Sequence, residues 1–262
     1  MKSFGRCFPP SFGGLSGRRP GIRAKAIFSI QVMIRVLTGL ACTLNLCGVN
    51  AQSRPTLVQI AIDTGHTQNE GGARSASGHW EYWFNRRVTR DLVLSLRDHG
   101  AHVNDLDELG ARTLAQRAAM AAPATLLLSV HHDSIQQHYL DAGRAKEFVG
   151  FSVFVSRKSP AFAKSLKCAK RIGEAMLAAG ERPSLYHAEK IQGENRPLLD
   201  VERGVHQFDD LYLLRGARNV AVLLEIGVIV NSIEEQRLSI DSVRSRIVDR
   251  LAEAVLACEA EI

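Results

Sequence analysis

The sequence predicts an α/β fold: a single domain with a mostly parallel central sheet and helices on both faces. Three observations carry this. Short apolar runs alternate with stretches of helical periodicity. Several of those runs are apolar from end to end, as buried strands are. No repeat, low-complexity tract or Pro/Gly-rich linker divides the chain after residue 52.

The elements follow in order. Residues 57–63 (LVQIAID) form the first strand, ended by polar residues and Gly65. A Gly/Ser-rich loop leads to residues 79–99, where Trp80, Phe84, Val88, Leu92 and Leu96 recur at helical spacing until Gly100 stops them. Residues 101–106 are a strand and 112–121 a helix. Residues 125–130 (TLLLSV) and 148–155 (FVGFSVFV) are further strands. A helix over 160–179 ends at Gly180, and a long polar segment runs to about Leu211. Residues 220–230 (VAVLLEIGVIV) form the most apolar strand, and 243–258 the closing helix.

The formal net charge of +6 suggests nucleic-acid binding until the charge is located. Residues 1–51 carry seven basic residues and no acidic one, leaving 26 basic against 27 acidic in residues 52–262. No basic face follows from that balance, and no nucleic acid is expected as partner. The first 26 residues, with five Gly and three Pro, read as a disordered extension. Arg35, fifteen uncharged residues over 36–50, and the small residues Val49 and Ala51 describe a secretory signal peptide. We expect Met33 to be the true start, residues 1–51 to be leader, and 52–262 to be the exported domain, in the periplasm or cell envelope. The apolar run is shorter than the ~20 residues of a membrane span, so no stable span remains after cleavage. The exported part keeps only Cys168 and Cys258, which excludes a disulfide-built scaffold and a four-cysteine zinc site. The two either pair or remain buried free thiols.

Functional residues of parallel sheets gather just past the carboxyl ends of strands. Three polar interruptions fall there: Asp63-Thr64-Gly65-His66, His131-His132-Asp133, and Glu225 inside its apolar run. A carboxylate between Leu224 and Ile226 is desolvated, which costs several kcal/mol unless it is paired or neutralised. Glu225 therefore pairs with an arginine such as Arg117 or Arg218, faces a bound metal, or moves protons with a raised pKa. Singly, each histidine reads as a hydrogen-bonded loop residue and Glu81 as a first-turn acid favoured by the helix dipole. Jointly, two imidazoles and a carboxylate with one open position make a catalytic zinc set.

At these residues the chain resembles the zinc-dependent N-acetylmuramoyl-L-alanine amidases, which are peptidoglycan hydrolases. Ala61-Ile62-Asp63-Thr64-Gly65-His66-Thr67 is similar to the family's strand–Asp-Pro-Gly-His-Gly start, with Thr64 and Thr67 as departures. Gly72-Ala73 followed by Glu81 at a helix start, Ser129-Val130-His131-His132-Asp133, Gly150-Phe151, and Leu213-Leu214-Arg215 with 222–227 and Asn231 follow in the family's order, covering about 57–240.

The resemblance implies zinc held by His66, Glu81 and His131, and Glu225 as the catalytic acid and base. Glu70 competes with Glu81, and a helix holds a ligand more rigidly. His132 competes with His131, but alternation turns it to the opposite face. Asp63 and Asp133 either orient the histidines or cap strand ends.

The implied reaction is hydrolysis of the amide between N-acetylmuramic acid and the L-alanine of the stem peptide. Peptidoglycan is then the substrate partner, with room for a protein activator. The polar segment over 180–210 is expected as a substrate wall or lid, without an inhibitory helix because Pro183, Gly193 and Pro197 interrupt it. His187 within it is expected to be a solvated loop residue, the alternative being contact with substrate. Two other functions compete: a non-catalytic wall-binding or activator protein on the same fold, and a zinc peptidase cutting within the stem.

Overall fold

The computed structural model describes residues 59–260. The leader, the signal peptide, Met33, and Leu57 and Val58 of the first apolar run lie outside the described residues. Seven strands form one sheet in the order β2-β1-β3-β7-β4-β6-β5. They are β1 (Gln59–Thr64), β2 (His102–Asp105), β3 (Leu126–Asp133), β4 (Ser152–Val155), β5 (Leu198–Asp200), β6 (Val205–Gln207) and β7 (Val220–Val228). The sheet is mixed but mostly parallel. β2, β1, β3 and β7 run parallel, as do β4 and β6, while β4 opposes β7 and β5 opposes β6.

Alternation along the strands sorts the apolar side chains into two groups. Ile60, Ile62, Leu128, Val222 and Leu224 pack with Phe84, Val88 and Leu92 of α1 (Glu81–Asp98). Ile172 and Met176 of α4 (Phe162–Ala178) and Ile247 and Leu251 of α7 (Asp241–Glu259) complete that cluster. The intervening residues Ala61, Leu127, Ala221 and Leu223 join Ala121 of α2 (Leu114–Ala121) and Leu213 and Leu214 of α5 (Tyr212–Gly216). Two short helices, α3 (Gln137–Asp141) and α6 (Ser232–Leu238), complete the set. Among the described residues no helix is long and apolar enough to cross a membrane.

Local chemistry sets the ends of the elements. α1 stops where Gly100 adopts φ +82°, its N–H reaching Arg97 O at 2.9 Å and that of Ala101 reaching Leu96 O at 3.0 Å. α2 starts in a reciprocal cap between Thr113 and Gln116. Cys168 on α4 and Cys258 on α7 form a disulfide, so of the two alternatives open in the sequence the paired one is found.

Three differences from the sequence reading bear on the site. β4 begins at Ser152 rather than 148, because Gly150 (φ +95°) passes within contact of the Arg182 carbonyl and breaks the extended run. β3 continues through Asp133, since pairing with β7 holds His131 opposite Glu225 before a bulge. The polar segment holds β5 and β6, each of three residues and too short to give a hydrophobic pattern.

Candidate metal centre and its two walls

β1, β3 and β7 are parallel neighbours, so their carboxyl ends open on one rim of the sheet. His66 stands two residues beyond β1 in left-handed backbone, φ +66°. Gly65 before it lies so close to the His131 ring that a Cβ there would come within 2.5 Å. Gly72 (φ +79°) likewise leaves room for Glu81 and the His66 ring, each 2.5 Å from where its Cβ would stand. Those two glycines are the space into which the cluster fits.

Glu81 opens α1 and is buried. Its Oε2 lies 3.0 Å from His66 Nε2 and its Oε1 3.0 Å from His131 Nδ1. One donor atom from each of His66, Glu81 and His131 falls within 4.8 Å of the others. The two imidazole rings meet edge to face at 5.1 Å. Burial alone would raise the Glu81 pKa, but hydrogen bonding and charge from His131 and His66 outweigh it and hold the carboxyl well below its ordinary range. Two imidazoles and a carboxylate are the donors that a divalent ion such as Zn²⁺ takes, and their convergence within one ion's reach fits such a group.

Of the competing pairs, Glu81 rather than Glu70 joins this cluster. His132 turns away, is buried, and donates Nδ1–H to Asn85 Oδ1 at 2.7 Å. Burial pushes its pKa down to about 4, which keeps it neutral.

Glu225 sits on β7 directly beside His131. Its Oε2 is inaccessible and has no hydrogen-bond partner. Burial first, then the charges of Asp133 and Glu81, push its carboxyl well above the ordinary value against the pull of Arg196. The pairing with Arg117 or Arg218 that the sequence left open is not found: Arg117 Nη1 is given to Asp63 Oδ1 at 3.1 Å and to Thr64 O at 2.7 Å.

Asp63 and Asp133 do not touch the imidazoles of His66 and His131, contrary to one of the two expected roles. Asp63 accepts from Ser129 Oγ at 2.6 Å and from Arg117, whose Nη2 donates in turn to the His66 carbonyl. It therefore steadies the His66 turn through Arg117. Asp133 Oδ2 instead meets His187 Nε2 at 2.6 Å. His187 is the clear correction: it is buried, not solvated, and its Nδ1 lies 2.8 Å from Glu194 Oε2. Arg196 also donates to Glu194 and stacks over Phe208 at 4.0 Å. The polar segment is thus fastened to the end of β3 by a chain of polar contacts running from Asp133 through His187 to Glu194 and Arg196. Between 181 and 210 its regular structure is one 3-10 turn, Tyr186–Ala188, and the two short strands.

Sequence reasoning missed Asn85 as a site residue. It lies one helical turn after Glu81, fully buried, and donates to both Glu81 Oε1 at 3.0 Å and Gly65 O at 3.1 Å. A polar residue in the apolar phase of an amphipathic helix was the available signal. The cleft in front of the cluster measures about 770 Å³ and is lined by His66, His131, Glu70, Arg112 and Tyr212 among others.

An α/β sheet whose rim gathers an imidazole–carboxylate–imidazole set beside a carboxyl with one buried, unpartnered oxygen has the parts of a hydrolase of the metal-dependent class. The family model described as N-acetylmuramoyl-L-alanine amidase, Amidase_3, matches residues 60–257, and the chain belongs to that family. Its function is that of a peptidoglycan amidase.

Solved structures share the fold. The amidase Ami1 of Mycobacterium smegmatis aligns with TM-score 0.63 and 18% identity over 78% of this chain and 98% of its own. The catalytic domain of CwlV from Paenibacillus polymyxa gives 0.59 and 20% over 76% and 97%. An N-acetylmuramoyl-L-alanine amidase of Clostridium difficile 630 gives 0.60 and 19% over 76% and 95%. No curated protein sequence matches the chain.

Proposed function

We propose that the chain is a zinc-dependent N-acetylmuramoyl-L-alanine amidase in which His66, Glu81 and His131 hold the metal and Glu225 transfers protons. The observation that carries this is the meeting of three donor atoms within 4.8 Å, beside a carboxyl with no partner of its own. A zinc ion bound there supplies polarisation of the scissile carbonyl and a lowered pKa for an attacking water. Glu225 takes the proton of that water at Oε2 and hands it to the leaving nitrogen of L-alanine. Its raised pKa suits the second half of that task, because a carboxyl at its ordinary value is a poor acid at neutral pH. Asn85 keeps the Glu81 carboxylate turned toward the histidines. Arg117 and Asp63 hold the His66 turn in register with them.

Export fits a peptidoglycan substrate. We read the stretch from Met33 to Ala51 as the signal peptide that delivers residues 52–262 to the periplasm or cell envelope. A protein partner is part of the proposal. It is supported by similarity to the CwlD amidase of Clostridioides difficile, solved in complex with the GerS lipoprotein, at TM-score 0.58 and 18% identity.

Glu225→Gln tests the assignment. The variant should keep its zinc by elemental analysis yet lose about 10³-fold in release of stem peptides from sacculi. Turnover near the wild-type rate would remove Glu225 from the role. Product analysis separates an amidase, which leaves a free amino group on L-alanine, from a peptidase cutting further along the stem.

A further inference from the structure

The outer side of α1 carries a feature the reaction does not use. Helical spacing puts Glu81 and Asn85 on one row and Trp83 and Arg87, also four apart, on another. Trp83 is 47% exposed, unusual for an indole with no structural task. With Arg87 it borders an open cavity of about 420 Å³ lined also by Ser77, His79, Phe84, Gln236 and Ser239. Glu235 forms part of the lining, and its carboxylate is engaged, accepting from Ser77 N at 3.0 Å and from Ser77 Oγ. His79 Nδ1 lies 2.8 Å from the same hydroxyl.

Arg87 differs from its neighbours on the helix. Arg86 meets Asp105, Asp107 and Glu108, Arg90 meets Asp91, and Arg97 meets Glu108. Among the described residues Arg87 has no hydrogen bond or ion pair. The cavity therefore offers an aromatic face, several hydroxyl-binding groups and one uncommitted guanidinium. A pyranose lays its C–H face on an indole and its hydroxyls on polar side chains, and a guanidinium selects a carboxylate.

The amidase reaction itself makes such a ligand. Water attacks the lactyl carbonyl, the C–N bond breaks, a C–O bond forms, and the nitrogen of L-alanine leaves with a proton. The glycan strand then carries one free lactyl carboxylate at each cleaved site. We propose that the cavity between α1 and α6 binds this stripped glycan, with a sugar on Trp83 and the lactyl carboxylate on Arg87. The enzyme thereby stays on the strand it has just processed. The inference rests on the amidase reading for the origin of the carboxylate.

The test is a binding titration of the zinc-loaded protein with stripped glycan fragments and, in parallel, neutral chitooligosaccharides of equal length. Wild type should bind the stripped glycan more tightly. Trp83→Ala should weaken both ligands about tenfold. Arg87→Gln, at an exposed site that leaves folding intact, should weaken the stripped glycan about fivefold and leave the neutral one unchanged. Cleavage of a soluble monomeric muropeptide should be the same in all three proteins. No binding by wild type, or unchanged binding in Trp83→Ala, overturns the site. Equal affinity for both ligands in wild type overturns the role of Arg87. Loss of muropeptide cleavage in wild type would instead overturn the amidase reading, which the titration does not touch.

Discussion

At the rim of the sheet His66, Glu81 and His131 make a first wall, hanging from a strand end, a helix start and a strand interior. A second stands beyond Asp133, toward Glu225, where His187, Glu194 and Arg196 hang from a stretch whose regular structure around them is a single 3-10 turn. The first wall takes its rigidity from backbone hydrogen bonding, with Asn85 and Arg117 as braces behind it. The second is held largely by charged side chains bonded to one another and to Asp133. Each wall contains one residue other than glycine in left-handed backbone, His66 at φ +66° and Asn195 at φ +68°. Each such turn is pinned at a backbone group: Arg117 donates to the His66 carbonyl, and Arg196 N donates to His187 O across Asn195 at 2.7 Å. The difference teaches where a site of this kind puts its precision. The three donors that converge within one ion's reach are held by strand and helix ends, and the segment beyond Asp133 is held by polar chemistry that substitution can undo.

The comparison breaks most visibly at Arg117. Its buried guanidinium satisfies Asp63, Thr64 O and the carbonyl of His66. Arg117→Met keeps much of the side-chain volume but strands the buried Asp63 carboxylate. Removing one partner of a buried pair costs about 3–5 kcal/mol. A urea melt should report that loss, and zinc content should fall with it as the His66 turn relaxes. A loss below about 1 kcal/mol would mean the first wall does not depend on this brace.

The second wall should be sensitive to acid. His206 on β6 is fully buried, with Nε2 3.1 Å from Ser184 O and its ring 5.8 Å from that of His187. Burial, helped by the charges of His187 and Arg196, pushes its pKa down to about 4 from an ordinary 6.5. In the unfolded chain it takes up a proton near 6.5, so the unfolded state binds more protons between those values. The stability held above pH 6.5 is therefore lost as pH falls toward 4, by about 3 kcal/mol at most. His132 acts in the same sense behind the first wall. Urea midpoints measured from pH 7 to pH 4 should fall less steeply in His206→Gln than in wild type. Parallel falls would show that His206 does not carry the effect.

What was legible in the sequence follows the same division. The strands of the first wall are apolar enough to declare themselves, and Gly65-His66, His131 and Glu225 end or interrupt their apolar runs. The choice of Glu81 over Glu70 drew on the rigidity of a helix and on the family's spacing from His66, and Glu81 lies beside the two imidazoles. The second wall was opaque. β5 and β6 are three residues long, and nothing in 186–196 signals that His187 lies buried between Asp133 and Glu194. Contacts 54 residues apart between polar side chains leave no periodicity to read. Asp133 illustrates the limit: its place after His131 suggested a partner for that imidazole, but the bulge in β3 directs it to His187.

Asn85 gives the smallest and most selective test of the first wall. Its amide donates to Glu81 Oε1 and Gly65 O and its Oδ1 accepts from His132, so it joins β1, β3 and α1 at one buried point. Asn85→Ala leaves the three donors in place but frees the Glu81 carboxylate to rotate. Partners of this kind contribute about 10–100-fold to metal affinity. Competition with a chelator should show zinc held that much more weakly, while cleavage at saturating zinc stays within a few-fold of wild type. The two readouts separate positioning from catalysis, because Glu225 is untouched. Undiminished zinc affinity would mean that the strand and helix ends alone fix Glu81, and that the brace serves only to satisfy buried polar groups.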